Sequence, residues 1–260
     1  TYTADRWACY RAATGCTVSR QTGPTGQAYA MRVQRDSGNA STTAITAYHA
    51  LESLDSYKFA GQTAYLKLTM KAGANFSAAS SSVTVKVTYG TGTDQSPEAS
   101  WTGTTDALST SQVITTTSTS YDFDSISIPS TATQVKVSVS FTPVGTASTN
   151  DWVEISAAQL SVNPAPTYER LPYKETLALC QRFFCAGTNN HIGYSGAGSA
   201  CGTRRVFPVT MRIVPTVTQG NTSAFNCSAT PAQQHLSTDG FTPCRTTTAT
   251  GVMEFVEPCT

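Results

Sequence analysis

The sequence predicts an all-β protein in which a jelly-roll β-sandwich is followed by a short helix and a small C-terminal β-domain. Apolar residues recur at period two through the first 163 residues, and clusters of Gly, Ser, Asn and Asp separate these runs. One stretch, residues 168–184, carries apolar residues at helical spacing instead. Two prolines at residues 164 and 166 break any strand between the two patterns. We therefore predict a sandwich over residues 1–163, a linker and helix over 164–185, and a β-domain over 186–260.

Four runs show the strand alternation most clearly. They are Tyr29, Met31 and Val33; Ala64, Leu66, Leu68 and Met70; Val83, Val85, Val87 and Tyr89; and Val135, Val137, Val139 and Phe141. Such runs are typical of antiparallel strands with one buried face. The last run, from Asp151, changes phase midway, which a bulge near Ala157 and Ala158 or burial on both faces would explain. We favour the bulge.

The helical stretch begins near Pro172, where a first-turn proline is tolerated. Tyr173, Leu177, Cys180 and Phe184 form one apolar stripe. The roughly 75 residues after it read as short strands with many turns, and a domain that small buries little apolar surface by itself. Disulfides, docking to its neighbour or self-association must therefore stabilise it.

Cysteines are unevenly distributed but even in number on each side of the predicted boundary. They are Cys9, Cys16, Cys180, Cys185, Cys201, Cys227, Cys244 and Cys259. No CxxC occurs and the three histidines are scattered, so a zinc site is poorly supported. All eight are disulfide candidates, with a Cys9–Cys16 link closing a small hairpin. Free buried thiols are the alternative.

Composition argues against several partners. Charged residues make up 13% of the chain and the net charge is +1, with no basic run, so neither nucleic acid nor an anionic membrane is indicated. No apolar run approaches the ~18 residues of a membrane span. Ser and Thr supply 23 of the 50 residues from Trp101 to Asn150, interleaved with apolar residues as in strands with a wet face. The start at Thr1, without Met or a signal-like segment, suggests a processed product or a fragment.

No catalytic motif is present, and we predict a protein that is not an enzyme. The sequence lacks G-x-S-x-G, H-E-x-x-H, a P-loop and a dinucleotide fingerprint. Asp122 with Asp124, and Asp151 with Glu154, are the carboxylates closest in sequence. Such pairs serve glycosidases and calcium sites, but most are solvated surface.

Aromatic residues are the better binding candidates, because flat rings flanked by hydroxyl and amide groups suit stacking against sugars. Trp101 lies in a loop rich in Thr, Gly and Ser, and we expect it to be exposed. Tyr48 points away from the apolar face of its strand, and Tyr89 is the third candidate. Trp7 and Trp152 are expected to plug the ends of the sandwich core.

Three segments together resemble a family of bacteriophage and prophage structural proteins. They are the opening YTADRW at residues 2–7, GTASTNDWVEISAAQL at 145–160 and YERLPYKETLALCQRFF at 168–184. In that family a carbohydrate-binding-module-like jelly-roll precedes a short helix and a small C-terminal β-domain, in tail fibres and related virion appendages. The six C-terminal cysteines depart from the family pattern.

The resemblance implies a non-enzymatic, extracellular virion appendage protein that attaches to bacterial surface polysaccharide. It further implies a homotrimer in contact with other virion proteins, and no cofactor except a possible structural calcium ion, to which Asp151 or Glu154 would contribute. Two alternatives stay open: a purely architectural virion or decoration protein, and a polysaccharide depolymerase.

Overall fold

The computed structural model describes residues 2–4, 6–11, 15–98, 100–162, 168, 171–220, 223–228 and 232–259. Its internal contacts divide the chain into two compact units, Thr1–Arg170 and Leu171–Thr260. The division lies a few residues beyond the proline-rich segment. The helix that begins after Pro172 accordingly belongs to the second unit.

In the first unit the described residues form two antiparallel sheets that pack as a jelly-roll sandwich. The strands are β1 (Tyr2–Ala4), β2 (Trp7–Arg11), β3 (Cys16–Thr22), β4 (Tyr29–Arg35), β5 (Ile45–Ala50), β6 (Thr63–Ala72), β7 (Ser82–Gly90), β8 (Thr105–Val113), β9 (Thr119–Ser127), β10 (Gln134–Phe141) and β11 (Trp152–Ser161). One sheet has the order β1-β2-β5-β10-β7-β8 and the other β3-β4-β11-β6-β9. Helix α1 (Ser53–Ser56), followed by a 3-10 turn at Tyr57–Phe59, joins β5 to β6, and a second short turn at Ala79–Ser81 precedes β7.

The core lies between the two sheets and confirms the predicted alternation. Along β6, Ala64, Leu66, Leu68 and Met70 are at most 2% exposed, and the intervening residues are partly exposed. The predicted valines of β7 and β10 are buried in the same cluster. Because strand side chains alternate between faces, burying these residues turns their neighbours on β7 and β10 to the opposite face of the first sheet.

The predicted bulge in β11 is confirmed. The pairing of β11 with β6 shifts register between Ser156 and Gln159, and Ala157 has φ of 47°, the left-handed region that a bulge often requires. Before the bulge Val153 and Ile155 face the core, and after it Leu160 packs against the same core. The extra residue therefore reverses the phase of the strand.

The two tryptophans expected in the core have different surroundings. Trp7 belongs to the inter-sheet cluster, as predicted. Trp152 is 8% exposed but lies outside that cluster: the Arg32 guanidinium sits 4.0 Å and the Lys71 ammonium 5.6 Å from its ring centroid. Trp152 shares its strand phase with Glu154, so it faces away from the core. The expectation for Trp152 was wrong for that reason.

The second unit is also mostly β-structure in the part that is described. Its strands are β12 (Gly187–Ser195), β13 (Ala200–Cys201), β14 (Arg205–Val206), β15 (Ser223–Phe225), β16 (Ala232–Ser237), β17 (Gly240–Thr246) and β18 (Gly251–Cys259). Strand β18 pairs with β12 and β15, and β17 pairs with β13, β14 and β16. The buried cluster found among its described residues is small: Phe207, Met211 and Phe241.

Helix α2 (Tyr173–Gln181) confirms the helix predicted near Pro172, which occupies the N-cap position. Its described residues include none that is buried. Tyr173 is 78% and Leu177 40% exposed, and Phe184 follows the end of the helix. Among the described residues no helix combines the length and apolar character that a bilayer crossing requires.

Among the cysteines with described side chains, the structure contains none of the disulfides that the cysteine pattern predicts. None of the seven cysteines with described side chains takes part in a disulfide, and the side chain of Cys259 lies outside the described residues. The thiols of Cys227 and Cys244 donate to backbone carbonyls. Cys9 and Cys16 nevertheless meet, because their side chains hydrogen-bond each other.

That hydrogen bond separates the two thiols chemically. Donation from Cys16 lowers the pKa of Cys9 below the usual thiol value, an effect larger than the opposing effect of burial, and nearby Arg11 lowers this pKa further. The same bond, together with burial, raises the pKa of Cys16. Burial also raises the pKa of Cys185. Since thiolates are the reactive species, Cys9 should be the nucleophilic member of the pair.

We expect iodoacetamide at neutral pH to label Cys9 faster than Cys185, as measured by mass spectrometry of peptides over time. Cys16→Ala removes the donor, so the pKa of Cys9 rises and its labelling slows about tenfold for each pKa unit regained. Labelling of Cys185 is the internal control. Equal rates at Cys9 in the parent protein and in Cys16→Ala would contradict this assignment.

Candidate functional site

A cleft of about 410 Å³ opens on the outer face of the six-stranded sheet formed by described residues of the first unit. Its floor comes from β2, β5, β10, β7 and β8, and its wall from the loop between β7 and β8. The volume is within the usual range for small-molecule sites, roughly 300–1,000 Å³. This cleft is the leading candidate site.

Strand register explains which side chains reach the cleft floor. Tyr48 of β5 pairs with Ser138 of β10, which pairs with Lys86 of β7. In the neighbouring row Lys136 of β10 pairs with Thr88, which pairs with Asp106 of β8. Five of these six residues alternate with the core residues of their strands and therefore face the cleft. The sixth, Asp106, reaches the cleft because the register between β7 and β8 shifts at a bulge. The alternation thus builds a polar floor.

The wall loop is held in place by hydrogen bonds within the loop and to residues of α1 and β10. The Gln95 backbone N–H donates to the side-chain oxygen of Gln134 at 2.6 Å, and the Gln95 side-chain oxygen accepts from the Gln134 side chain at 3.2 Å. The same oxygen accepts from the Thr102 backbone N–H at 2.9 Å, and the Gln95 side-chain NH₂ donates to the Thr102 hydroxyl at 3.1 Å. Asp94 and Ser53 exchange two more, both 2.9 Å. Gly103 has φ of +60°, and a Cβ there would lie 2.6 Å from the Thr91 hydroxyl. The wall is therefore preorganised by local contacts.

Trp101 lies in this wall, but it is not the exposed ring that the sequence predicted. It is 5% exposed, its indole N–H donates to the Ser96 carbonyl at 3.1 Å, and the Lys136 ammonium sits 4.7 Å from its ring centroid. A buried tryptophan in a polar loop satisfies its N–H and covers its face. Trp101 lines the cleft as a support for Lys136 and does not offer a free stacking surface.

The other two aromatic residues predicted to bind glycan, Tyr48 and Tyr89, lie on opposite faces of the six-stranded sheet. Tyr48 faces the cleft, as its strand phase indicated, and is 5% exposed, with its hydroxyl donating to Glu98 at 3.0 Å. Tyr89 shares the phase of the buried valines and packs against the inter-sheet core. The structure therefore brings Trp101 and Tyr48 together and places Tyr89 elsewhere.

Sequence reasoning missed Tyr10, whose ring lines the cleft and is 47% exposed. Tyr10 of β2 pairs with Thr46 of β5, whose side chain also reaches the cleft. A signal existed: Tyr10 alternates with Cys9, which packs against the core. What the sequence could not supply is that β2 lies next to β5, since this pairing joins distant segments.

Charged groups in the cleft are paired unequally. Both oxygens of Asp106 accept hydrogen bonds, one from Lys86 at 2.6 Å and the other from Thr88 at 2.7 Å. Burial alone would raise the pKa of Asp106, but these bonds and the nearby lysines lower it overall. Asp106 is therefore held as a carboxylate.

Lys136 has weaker partners. Its ammonium donates to the Pro97 carbonyl at 3.5 Å and rests over the Trp101 ring. Burial lowers the pKa of Lys136, and Asp106 offsets this only in part. Within the described part of the chain, no carboxylate lies within 4.0 Å of the Lys136 ammonium, so Lys136 forms no ion pair there.

Asp151 and Glu154, the suggested calcium ligands, each form an ion pair with an arginine. Asp151 is fully buried and pairs with Arg35, itself 1% exposed, at 2.7 Å, and its other oxygen accepts from the Ser77 backbone N–H at 3.0 Å. The Arg35 guanidinium also donates to the carbonyls of Asn39, Ser41 and Gly145 and to the Ser77 hydroxyl. Calcium takes such carboxylate and carbonyl oxygens. In this structure the cation bound by these oxygens is the Arg35 guanidinium.

Glu154 is likewise engaged, since its Oε1 accepts hydrogen bonds from Arg32 at 2.6 and 2.9 Å. Across the residues that the structure describes, no three His, Cys, Asp or Glu side chains are grouped so as to hold a metal. Asp151 and Glu154 as placed therefore do not fit a calcium site.

A second cavity lies within the C-terminal unit and holds about 60 Å³. Its lining is mostly apolar, from Phe183, Phe207, Met211 and Phe241, with Arg205 at its edge. This space is a gap beside a small core and is well below the size of the usual ligand site.

Comparisons with known proteins give matches to structures only. No protein-family model matches the sequence, and no curated protein matches it. Solved structures that match include one described as CBM4 structure and function (15% identity, 61% of this chain and 88% of that chain, TM-score 0.41). Another, from work on promiscuous carbohydrate-binding modules of the β-sandwich superfamily, has 11% identity, 62% and 58% coverage and TM-score 0.43.

A third matching structure is a xylan-binding domain from CBM 22, with 14% identity, 64% and 92% coverage and TM-score 0.40. These structures are carbohydrate-binding modules with a β-sandwich fold. Identities of 15% or less and TM-scores below 0.5 establish no ligand for this chain.

We expect Arg35→Met to lower the free energy of unfolding by about 3–5 kcal/mol, because it leaves the buried Asp151 carboxylate without its partner. Lys67→Met is the matched control: its ammonium pairs with Asp122 at 3.3 Å, with side chains 32% and 49% exposed, and its loss should cost at most about 1 kcal/mol. Urea denaturation measures both.

A chelator should leave the melting temperature of the parent protein unchanged, because the Arg35 guanidinium already binds the Asp151 carboxylate and the carbonyl oxygens around it. A melting temperature that falls in chelator and recovers with calcium would contradict this account of Asp151.

Proposed function

We propose that the chain is a non-enzymatic glycan-binding protein and that the cleft on the outer face of the six-stranded sheet receives the sugar. The observation that carries this proposal is the pairing of an exposed aromatic ring with a polar floor in one cavity of about 410 Å³. Tyr10 supplies the ring, and Thr46, Ser138 and Thr104 supply hydroxyl groups.

The cleft matches sugar chemistry in two ways. The apolar face of a pyranose ring packs on a flat aromatic surface, and its hydroxyls need donors and acceptors around the rim. Hydroxyl side chains can both donate and accept hydrogen bonds, and Lys86 and Asp106 add charged partners to the same floor. The preorganised wall loop limits the ordering cost that binding would otherwise carry.

The contents of the cleft favour binding over hydrolysis. A glycosidase needs one carboxyl group that donates a proton and a second that acts as base or nucleophile. Asp106 is kept ionised by Lys86 and Thr88, so it is a poor proton donor, and Glu98 accepts from the Tyr48 hydroxyl. Saturable binding to a polysaccharide whose chain length stays constant supports the proposal, whereas shortened polymer would establish a depolymerase.

We expect Tyr10→Ala to weaken binding of the purified protein to its best polysaccharide by about tenfold, or ~1.4 kcal/mol, because the stacking surface is lost. Affinity electrophoresis against a panel of bacterial surface polysaccharides measures this. Tyr29→Ala is the matched control, since Tyr29 is also exposed, at 56%, but belongs to the other sheet.

Unchanged affinity in Tyr10→Ala would remove Tyr10 from the site. If the folded parent protein binds no polysaccharide in the panel, the proposal fails and a purely architectural role becomes the better interpretation.

The resemblance to phage structural proteins supports a setting for this activity: an extracellular virion appendage, in contact with other virion proteins, that attaches to bacterial surface polysaccharide. Self-association would suit the C-terminal unit, whose described core is small. Large apolar side chains there are exposed, including Tyr173 at 78%, Phe225 at 66% and Phe184 at 59%. Exposed apolar surface of this kind marks interaction sites.

We therefore expect the protein to be a homotrimer, with a mass in solution three times that of one chain by light scattering. Replacing both Leu177 and Phe184 by Asp should shift the mass toward one chain, because charges are costly in an apolar interface. The replacement of Leu54, 85% exposed in the other unit, by Asp is the control. A single-chain mass for the parent protein at all concentrations would contradict the trimer.

A further inference from the structure

The ammonium of Lys136 is the feature of the cleft that neutral sugar binding leaves unexplained. Building on the proposed function, we infer that the cleft is selective for acidic glycans and that a sugar carboxylate, as in a uronic or sialic acid, binds at Lys136. The inference depends on the position of Lys136, on the pairing of the other charges and on the cost of burying an ammonium.

Lys136 is held at the boundary between floor and wall. It projects from the central strand β10 beside Thr88 and Ala50, and the Trp101 ring supports its ammonium at 4.7 Å. Its one hydrogen bond among the described residues, to the Pro97 carbonyl, is long at 3.5 Å. An ammonium carries three N–H donors, so capacity for a ligand oxygen remains.

The other charges of the cleft are engaged with one another or with hydroxyls. Lys86 and Asp106 form an ion pair, and the second oxygen of Asp106 accepts from Thr88. Glu98 accepts from the Tyr48 hydroxyl, and no ion pair joins it to Lys136 among the described residues. The Lys136 ammonium, whose hydrogen-bond and ring partners are neutral, therefore faces the cavity beside an ion pair.

A carboxylate is the ligand group that fits this cation best. Charge-assisted hydrogen bonds are about twice as strong as neutral ones, and partial burial reduces the solvent screening that weakens surface pairs. Burial lowers the pKa of Lys136, so the neighbouring groups of the protein do not fully compensate its charged form. A sugar carboxylate would provide that compensation, whereas a sugar hydroxyl would provide much less.

The test compares acidic polymers with neutral counterparts of the same backbone. Polygalacturonate, polymannuronate and polysialic acid, each before and after chemical reduction of its carboxyl groups, are titrated into the parent protein and its variants. We expect at least one acidic polymer to bind about tenfold more tightly than its reduced form, with an affinity that falls as salt rises.

Lys136→Met keeps the aliphatic contact with Trp101 and removes the charge. It should weaken binding of the acidic polymer about tenfold and leave binding of the reduced polymer within about twofold, whereas Lys136→Arg should retain most of the preference. Lys58→Met is the matched control, because Lys58 also lies over an aromatic ring, 5.1 Å from Phe59, but is exposed and outside the cleft.

The outcomes separate this inference from the proposed function. Equal binding of acidic and reduced polymers, with no effect of Lys136→Met, overturns the inference and leaves the proposed function standing. Tighter binding of a sulfated polymer than of every carboxylated one overturns the assignment of a carboxylate. Binding to no polymer of either kind overturns both proposals. Equal melting temperatures of the parent and Lys136→Met are required for each comparison.

Discussion

Burial of apolar residues between two sheets is the constraint from which the site follows. Successive side chains of a strand point to opposite faces, so packing Val85 and Val87 inward turns Lys86 and Thr88 outward. The same holds along β10, where Val135 and Val137 flank Lys136. The polar floor of the cleft is thus the other half of the pattern that builds the core.

One buried cation holds the loops at the edge of this sandwich. Arg35 is the last residue of β4 and shares the buried phase of Val33. Its guanidinium reaches Asp151, Ser77 and backbone carbonyls from separate loops. A planar guanidinium with five N–H groups satisfies many oxygens at fixed angles, which a lysine could not do. Arg35 thereby pairs with Asp151, which the sequence suggested as a contributor to a possible calcium site.

The cleft also shows how one tertiary contact changes the meaning of a residue. Trp101 was expected to meet sugar, and its loop composition supported that expectation. The loop folds back so that the indole reaches the Ser96 carbonyl and the Lys136 ammonium, and its ring is covered. In the proposed site the recognition element is instead the Lys136 ammonium, and the exposed ring is that of Tyr10 on β2.

Local pattern was enough for the all-β class, for the burial phases of β6, β7 and β10, for the β11 bulge and for helix α2, because each depends on neighbours within a few residues. Long-range pairing decided the rest. The contact of β2 with β5, the cover of Lys136 over Trp101 and the burial of Asp151 against Arg35 join segments that lie more than 30 residues apart. No periodicity encodes such pairings, so only the tertiary structure could determine which side chains share the cleft.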